Sequence, residues 1–324
     1  MTSWGVNLPL SGLPLTAARE LIQALPDLGY TDVWTGEGGG TDAFTPLTAA
    51  AAWQPRLSLG TGVVPVGTRG PGVLAQTVGA LAELTSGEVL LGVGSSVPAH
   101  VTALNGVPFG QPLARVRDTV RFLRRALAGE VVSADYETFS VQGFRLDAKP
   151  EQRPRVLVGA LRPKMVRVGY EDADGVVLNL LAAADLPRVL EPVQSLLPGR
   201  ETVVKLFVCP TGDADHARAA GRGFLGWILN QTPYHAFHSW LGRGDELAVS
   251  KRAADAGDRI GAGAAIPDHI VDELWIHGDP ARCVERITRY LQPGVTRIVL
   301  YVAGTPELAR RPQNLPRVLA DLHP

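Results

Sequence analysis

Leu57-Ser58-Leu59-Gly60-Thr61-Gly62-Val63-Val64-Pro65 decides how the rest of the 324-residue chain is read. The alternation Leu57, Leu59, Thr61, Val63 fits a pleated strand with one face inward. Gly60 and Gly62 come where that strand should end. A glycine inside a strand pattern marks a bulge, or a backbone that something must approach closely. Two readings follow: a buried strand with a tight exit turn, or a bed on which a flat ring system lies.

Outward from this stretch the chain alternates between two periods. Apolar runs predict strands at 5–9, 32–35, 57–63, 89–93, 155–159, 175–179, 203–208 and 297–302. Helical spacing covers 16–28, where Ala17, Leu21, Leu25 and Leu28 share a face, and 113–127. Further helices are predicted from Thr45, over 73–84, 163–170 and 280–291, and near Leu322. Strand–helix alternation with short connections argues for a parallel sheet with helical crossovers. Eight such units predict a closed α/β barrel, the (β/α)8 TIM barrel, as one domain over 1–324. A hairpin arm at 138–146, after strand four, and a mostly helical segment at 214–272, after strand seven, are its insertions. An open doubly wound sheet is the alternative. The absence of a GxGxxG turn after the first strand counts against its dinucleotide-binding version.

Composition narrows the partners. Hydrophobic residues make up 45% and charged residues 19%, the profile of a globular chain. The formal net charge of -1 gives no field to draw in nucleic acid. Arg115, Arg117, Arg121, Arg124 and Arg125 on the 113–127 helix therefore read as a solvated face. Cys209 and Cys283 lie far apart and belong to no metal-ligand spacing, so a reducing cytoplasm is the expected location. The start Met1-Thr2-Ser3-Trp4 lacks a signal-peptide pattern, and no apolar run is long enough to span a bilayer.

In barrel enzymes the chemistry lies at the C-terminal ends of the strands. Those ends carry Asn7, Glu37, Gly62-Val63, Gly94-Ser95, Gly159-Ala160 and Asn179. They hold no histidine, no cysteine and one carboxylate, so a cofactor is expected to carry the chemistry. Gly159-Ala160-Leu161-Arg162-Pro163-Lys164 joins a strand to a helix start, where free N–H groups and two cations suit a phosphate. An ordinary loop with two solvated cations is the plainer reading of that stretch. His235 and His238, three apart on a helix, have no acidic neighbour in sequence and read as a helix face rather than a metal site. Asp213-Ala214-Asp215-His216 reads as a helix cap. No G-x-S-x-G, Walker or H-E-x-x-H motif occurs.

Several of these stretches, taken in order, resemble the luciferase-like flavin and deazaflavin barrels. They are Glu37 after Val33-Trp34, Asp42-Ala43-Phe44-Thr45-Pro46-Leu47, Leu59-Gly60-Thr61-Gly62-Val63, Glu83-Leu84-Thr85-Ser86-Gly87 and Leu91-Gly92-Val93-Gly94. Gly106-Val107-Pro108-Phe109-Gly110 with Arg117, the Gly159–Lys164 stretch, and Ala173-Asp174-Gly175-Val176-Val177-Leu178-Asn179 complete the series. The series is similar to the branch that uses coenzyme F420; FMN-dependent monooxygenases form the other branch. The resemblance implies that Gly62-Val63 is a non-prolyl cis peptide, a bulge backing the coenzyme ring. It assigns coenzyme contacts to Thr61, Gly62, Val63, Gly94, Ser95, Gly159, Ala160, Leu161, Arg162, Lys164 and Asn179, with no metal. It also implies a homodimer. Glu37 is the candidate for a proton role or for gripping the ring edge, with Asn7 and Ser95 as polar groups facing a small organic substrate. Sugar-phosphate dehydrogenases of the family have histidine where this chain has Gly38 and glutamate where it has Ser95, which argues against a sugar phosphate. Gly70 also stands where relatives often have histidine, so the substrate side is expected to be open. A barrel that only binds cofactor or partners is the reading from another class.

Overall fold

The computed structural model describes residues 2–9, 13–38 and 40–323. Its strands are β1 Ser3–Asn7, β2 Asp32–Thr35, β3 Ser58–Thr61, β4 Val64–Pro65, β5 Val89–Gly94, β6 Val132–Asp135, β7 Ser140–Phe144, β8 Arg155–Gly159, β9 Gly175–Asn179, β10 Glu201–Pro210, β11 Trp275–Gly278 and β12 Arg297–Val302. The sheet runs β10-β12-β1-β2-β3-β5-β8-β9 and closes because β9 also pairs with β10. Every pairing in this ring is parallel. The chain is therefore the eight-stranded barrel expected from its alternation, and the open sheet is excluded.

Three elements depart from the expected layout. The third strand stops at Thr61 and resumes as β4. Leu59 pairs with Val89 and Val64 with Val93, so five steps on one strand match four on its neighbour. That extra residue is a bulge, and the Gly62–Val63 bond within it is cis. The second departure is β11, a strand not foreseen after the helical insertion. It pairs with the end of β10 (Phe207 with Trp275) beyond the point where β9 leaves at Lys205 with Asn179. The third is the 16–28 helix, which is α-helical only over Arg19–Ala24 and tighter at both ends, with Pro26 inside the last turn. The hairpin arm is the antiparallel pair β6–β7.

Inward-facing side chains fill the barrel in layers. The floor is charged. Arg297 donates Nη1 to both Asp32 oxygens (2.9 and 2.8 Å) and Nε to Glu201 (3.2 Å), and it also pairs with Glu88. Arg155 pairs with Glu201. Above the floor lie Trp34, Leu90, Leu157, Val177, Val203 and Val299, all buried. Trp34 occupies the axis because its neighbours lack side chains. A Cβ at Gly5 would come within 2.7 Å of the indole, and one at Gly60 within 2.3 Å. The opposite faces of the strands, among them Val33, Leu59, Leu91, Val158, Val204 and Ile298, pack outward into the main core. The insertion after β10 brings a second core, in which Phe207 and Trp275 meet Leu225, Ile270 and Leu274.

Candidate active site

The bulge sets the geometry of the barrel mouth. A Cβ at Gly94 would approach Val63 Cγ2 to 2.8 Å, and one at Gly159 would approach Val63 Cγ1 to 2.9 Å. The Val63 isopropyl group therefore lies across the ends of β5 and β8, in space that only glycine leaves free. The Gly62 N–H donates to the Thr35 carbonyl (2.7 Å), and the Val63 carbonyl accepts from the Glu37 N–H (3.1 Å). Thr61 Oγ1 donates to the Gly92 carbonyl (2.8 Å). These bonds hold the bulge from both sides and produce a small apolar platform at the strand ends.

Polar groups ring the platform. Arg69 donates Nε (3.0 Å) and Nη2 (2.6 Å) to Glu37 Oε1, which also accepts the Ala43 N–H at 3.3 Å. All three bonds fall on one oxygen, and Oε2 has no donor among the described residues. Arg69 also stacks 5.0 Å from the Phe44 ring centroid. Glu37 is thus presented as a fixed acceptor. Asn7 is buried at the end of β1. Its Nδ2 donates to the Leu8 carbonyl (3.0 Å), while its Oδ1 has no hydrogen-bond partner among the described residues. A buried amide oxygen left unpaired is unfavourable and marks a place for an incoming donor. Asn179 lies 3.3 Å from the Tyr234 hydroxyl. Ser95 turns its hydroxyl to the Ser96 carbonyl (3.3 Å).

The stretch Gly159–Lys164 leads from β8 to the helix Pro163–Glu171, whose first turn receives no side-chain cap. Arg162 and Lys164 are exposed and form no ion pair among the described residues. An uncapped helix start with two uncommitted cations is a fitting seat for a phosphate. The mouth and this helix start therefore suit a flat ring carrying an anionic tail. On the other side, a Cβ at Gly38 or at Gly70 would meet nothing within 4 Å, so the space beside Glu37 is open.

Sequence reading missed three residues here. Lys205, Phe207 and Tyr301 all point inward at the ends of β10 and β12. Lys205 Nζ lies 3.4 Å from the Gly62 carbonyl and 5.4 Å from the Tyr301 ring centroid. Phe207 stacks on Trp275 and meets Phe224 and Tyr301, forming an aromatic wall. A lysine inside the apolar run Val203–Val208 was the available signal.

Other candidates belong elsewhere. His238 is fully buried in the helix Thr232–Trp240, and burial pushes it down to about 3, so it is neutral. No group of three His, Cys, Asp or Glu suited to a metal occurs among the described residues. Asp213 caps its helix by accepting the His216 N–H. The arginines of the helix Pro112–Leu127 are not merely solvated. Arg115 bonds the Thr138 carbonyl, Arg117 pairs with Glu137, and Arg121 pairs with Asp172, tying the hairpin and the 172 turn to this helix. No helix among the described residues is long and apolar enough to cross a membrane.

A closed parallel barrel with a backbone bulge at the end of its third strand and glycines facing that bulge defines a class of flat-ring-binding barrel. The family described as luciferase-like monooxygenase matches residues 3–297, and the chain belongs to it. Over 297 residues it is 27% identical to a 5,10-methylenetetrahydromethanopterin reductase of Archaeoglobus fulgidus, covering 88% of each chain. Over 339 residues it is 29% identical to a putative coenzyme F420-dependent oxidoreductase of Mycobacterium tuberculosis, covering 95% of this chain and 94% of the other. The coenzyme F420-dependent tetrahydromethanopterin reductase from Methanopyrus kandleri superposes with a TM-score of 0.76 over 98% of this chain and 97% of that one; at 20% identity this likeness speaks to the fold.

Proposed function

We propose that this protein is an oxidoreductase that uses coenzyme F420 and transfers hydride between the deazaflavin and a carbon of a small organic substrate. The observation that carries the reading is the Val63 platform, bedded on Gly94 and Gly159 in a mouth with few catalytic groups of its own. The F420-dependent relative matched along nearly the whole chain supports it. When bound, the coenzyme supplies the hydride-accepting and hydride-donating carbon. The chain's own residues bind, orient and exclude water. Val63 backs the ring. Arg162, Lys164 and the uncapped helix start hold the phosphate. Asn7 Oδ1 and Glu37 Oε2 accept hydrogen bonds from ring or substrate. With Arg69 fixed on its other oxygen, Glu37 presents Oε2 as an acceptor. Phe207 and Tyr301 give the substrate an apolar, aromatic side. The free, buried Cys209 and Cys283 are consistent with a cytoplasmic protein, and a homodimer is the assembly the resemblance favours.

The test is a titration of the coenzyme-free protein with F420 and, separately, with FMN, followed by ligand fluorescence. Saturable quenching of F420 with micromolar or tighter affinity is expected. Micromolar binding of FMN with none of F420 would replace this reading with that of an FMN-dependent monooxygenase.

A further inference from the structure

The floor and the mouth of this barrel treat charge differently. At the floor, the two guanidiniums of Arg297 and Arg155 pair with three carboxylates, Asp32, Glu88 and Glu201. At the mouth, Lys205 projects from β10 in the same inward phase as Val203, and it pairs with no carboxylate among the described residues. Among the described residues it is received by the Gly62 carbonyl at 3.4 Å and the face of Tyr301. The strand ends around it carry Asn7, Gly62, Gly94, Gly159 and Asn179, none of them charged. The titratable groups beside it are Tyr301 on β12 and Tyr234, which reaches Asn179 from the helix Thr232–Trp240; burial pushes both hydroxyls up and keeps them neutral. Glu37 and Asp42, from the loop after β2, both lie within 4 Å of Arg69, from the loop after β4, and are directed at that guanidinium rather than at Lys205.

An ammonium drawn out of water without a counter-ion is unfavourable. Burial pushes Lys205 down to about 8, so at neutral pH it still carries its proton. Hydride reaching a conjugated ring brings an electron pair without a proton, and the negative charge has to be accommodated. A cation 3.4 Å from the carbonyl of the bulge is placed to do so.

We propose that Lys205 is the counter-charge for the anionic form of the coenzyme ring seated over Gly62–Val63. The inference rests on the coenzyme reading above and deepens it. Lys205 keeps its proton throughout and forms no covalent bond. It lowers the energy of a ring anion relative to the neutral ring, and thereby sets which form the protein prefers.

The experiment is a spectrophotometric pH titration of F420 bound to the wild type and to the Lys205→Met, Lys205→Gln and Lys205→Arg variants. Ionisation of the ring hydroxyl changes its absorption. Loss of the cation is expected to raise the bound-ring midpoint by about one pH unit, a tenfold change in acid constant, in the Met and Gln variants. Lys205→Arg is expected to keep the wild-type midpoint. Thermal melts run alongside, since a purely structural lysine would move the melting temperature and not the midpoint. One midpoint shared by all four proteins overturns the proposal. If only FMN binds, the F420 reading fails, and Lys205 is judged by anaerobic affinities for oxidised and reduced FMN. A preference for reduced FMN that falls at least about fivefold in Lys205→Met supports the counter-charge, and an unchanged ratio overturns it.

Discussion

Gly94→Ala tests the ring platform directly. The new methyl would sit 2.8 Å from Val63 Cγ2, against 3.4 Å for the near edge of ordinary contact, so Val63 has to retreat by 0.6 Å. Its retreat is constrained. A β-branched side chain has little freedom in χ1. Its other methyl already fills the space over Gly159, and below it lie Trp34, Leu90 and Leu157. The open direction is toward the mouth, into the space assigned to the coenzyme ring. Overpacking of this kind costs about 1–3 kcal/mol. Part of it appears as stability: at about 2.1 cal/mol/K of unfolding entropy per residue, a chain of 324 residues loses about 1.5 °C of melting temperature for each kcal/mol. The rest appears as lost affinity, about tenfold for the 1.4 kcal/mol that a displaced platform withholds.

The assay pairs F420 fluorescence quenching with thermal unfolding. Val63→Ala alone weakens binding modestly by removing the two methyls. The double variant Val63→Ala, Gly94→Ala removes the clash and is expected to bind better than Gly94→Ala alone, a coupling that only contacting residues show. Gly94→Ala with wild-type affinity and a lowered melting temperature would refute the reasoning: Val63 would then be packing, and the ring would lie elsewhere.

Two further outcomes follow from the same structure. Glu37→Gln keeps the shape but breaks the charge match with Arg69; turnover is expected to fall well over tenfold, and wild-type turnover would remove Glu37 from the mechanism. Arg297→Met leaves the fully buried Asp32 without its cation and is expected to cost about 3–5 kcal/mol near neutral pH, read as melting temperature or urea midpoint. Burial already holds the Asp32 carboxyl above its usual range, and losing Arg297 raises it further. A folded-state pKa above the unfolded value contributes stability that is full below the unfolded pKa, about 4, and is lost as pH rises through the folded value. The Arg297→Met deficit should therefore shrink toward pH 4; an equal deficit at acid and neutral pH refutes the buried-charge account.

The barrel was legible because each of its eight ring strands is a short apolar run closed by a turn or a helix signal. β11 was not, because Leu274 passes into Trp275 with no glycine, proline or cap between helix and strand. The bulge was legible from Gly60 and Gly62, but the packing that makes it a platform depends on Gly94 and Gly159, which only the closed ring brings beside Val63. The phase of β10 was hidden for a simpler reason. In Val203-Val204-Lys205-Leu206-Phe207-Val208 both faces are apolar, so alternation cannot say which residues point inward. Lys205 was accordingly read as part of a strand and not as part of a site.

The floor shows why that residue carries meaning. Asp32, Arg155, Glu201 and Arg297 each stand at the start of a strand, and Glu88 just before one. In sequence each is an isolated charge; in the ring they face one another and pair. The same eight strands that gather two guanidiniums and three carboxylates at one end hold the Lys205 ammonium at the other with no carboxylate partner among the described residues, against a bulge lined by glycines. A fold that pairs the buried Asp32, Glu201 and Arg297 with one another at its floor is not forced to tolerate an unpaired charge at its mouth. Under the proposed counter-charge role, the negative charge that answers Lys205 belongs to what binds there, which would tie the chemistry of the mouth to an anionic ligand before any catalytic residue is invoked.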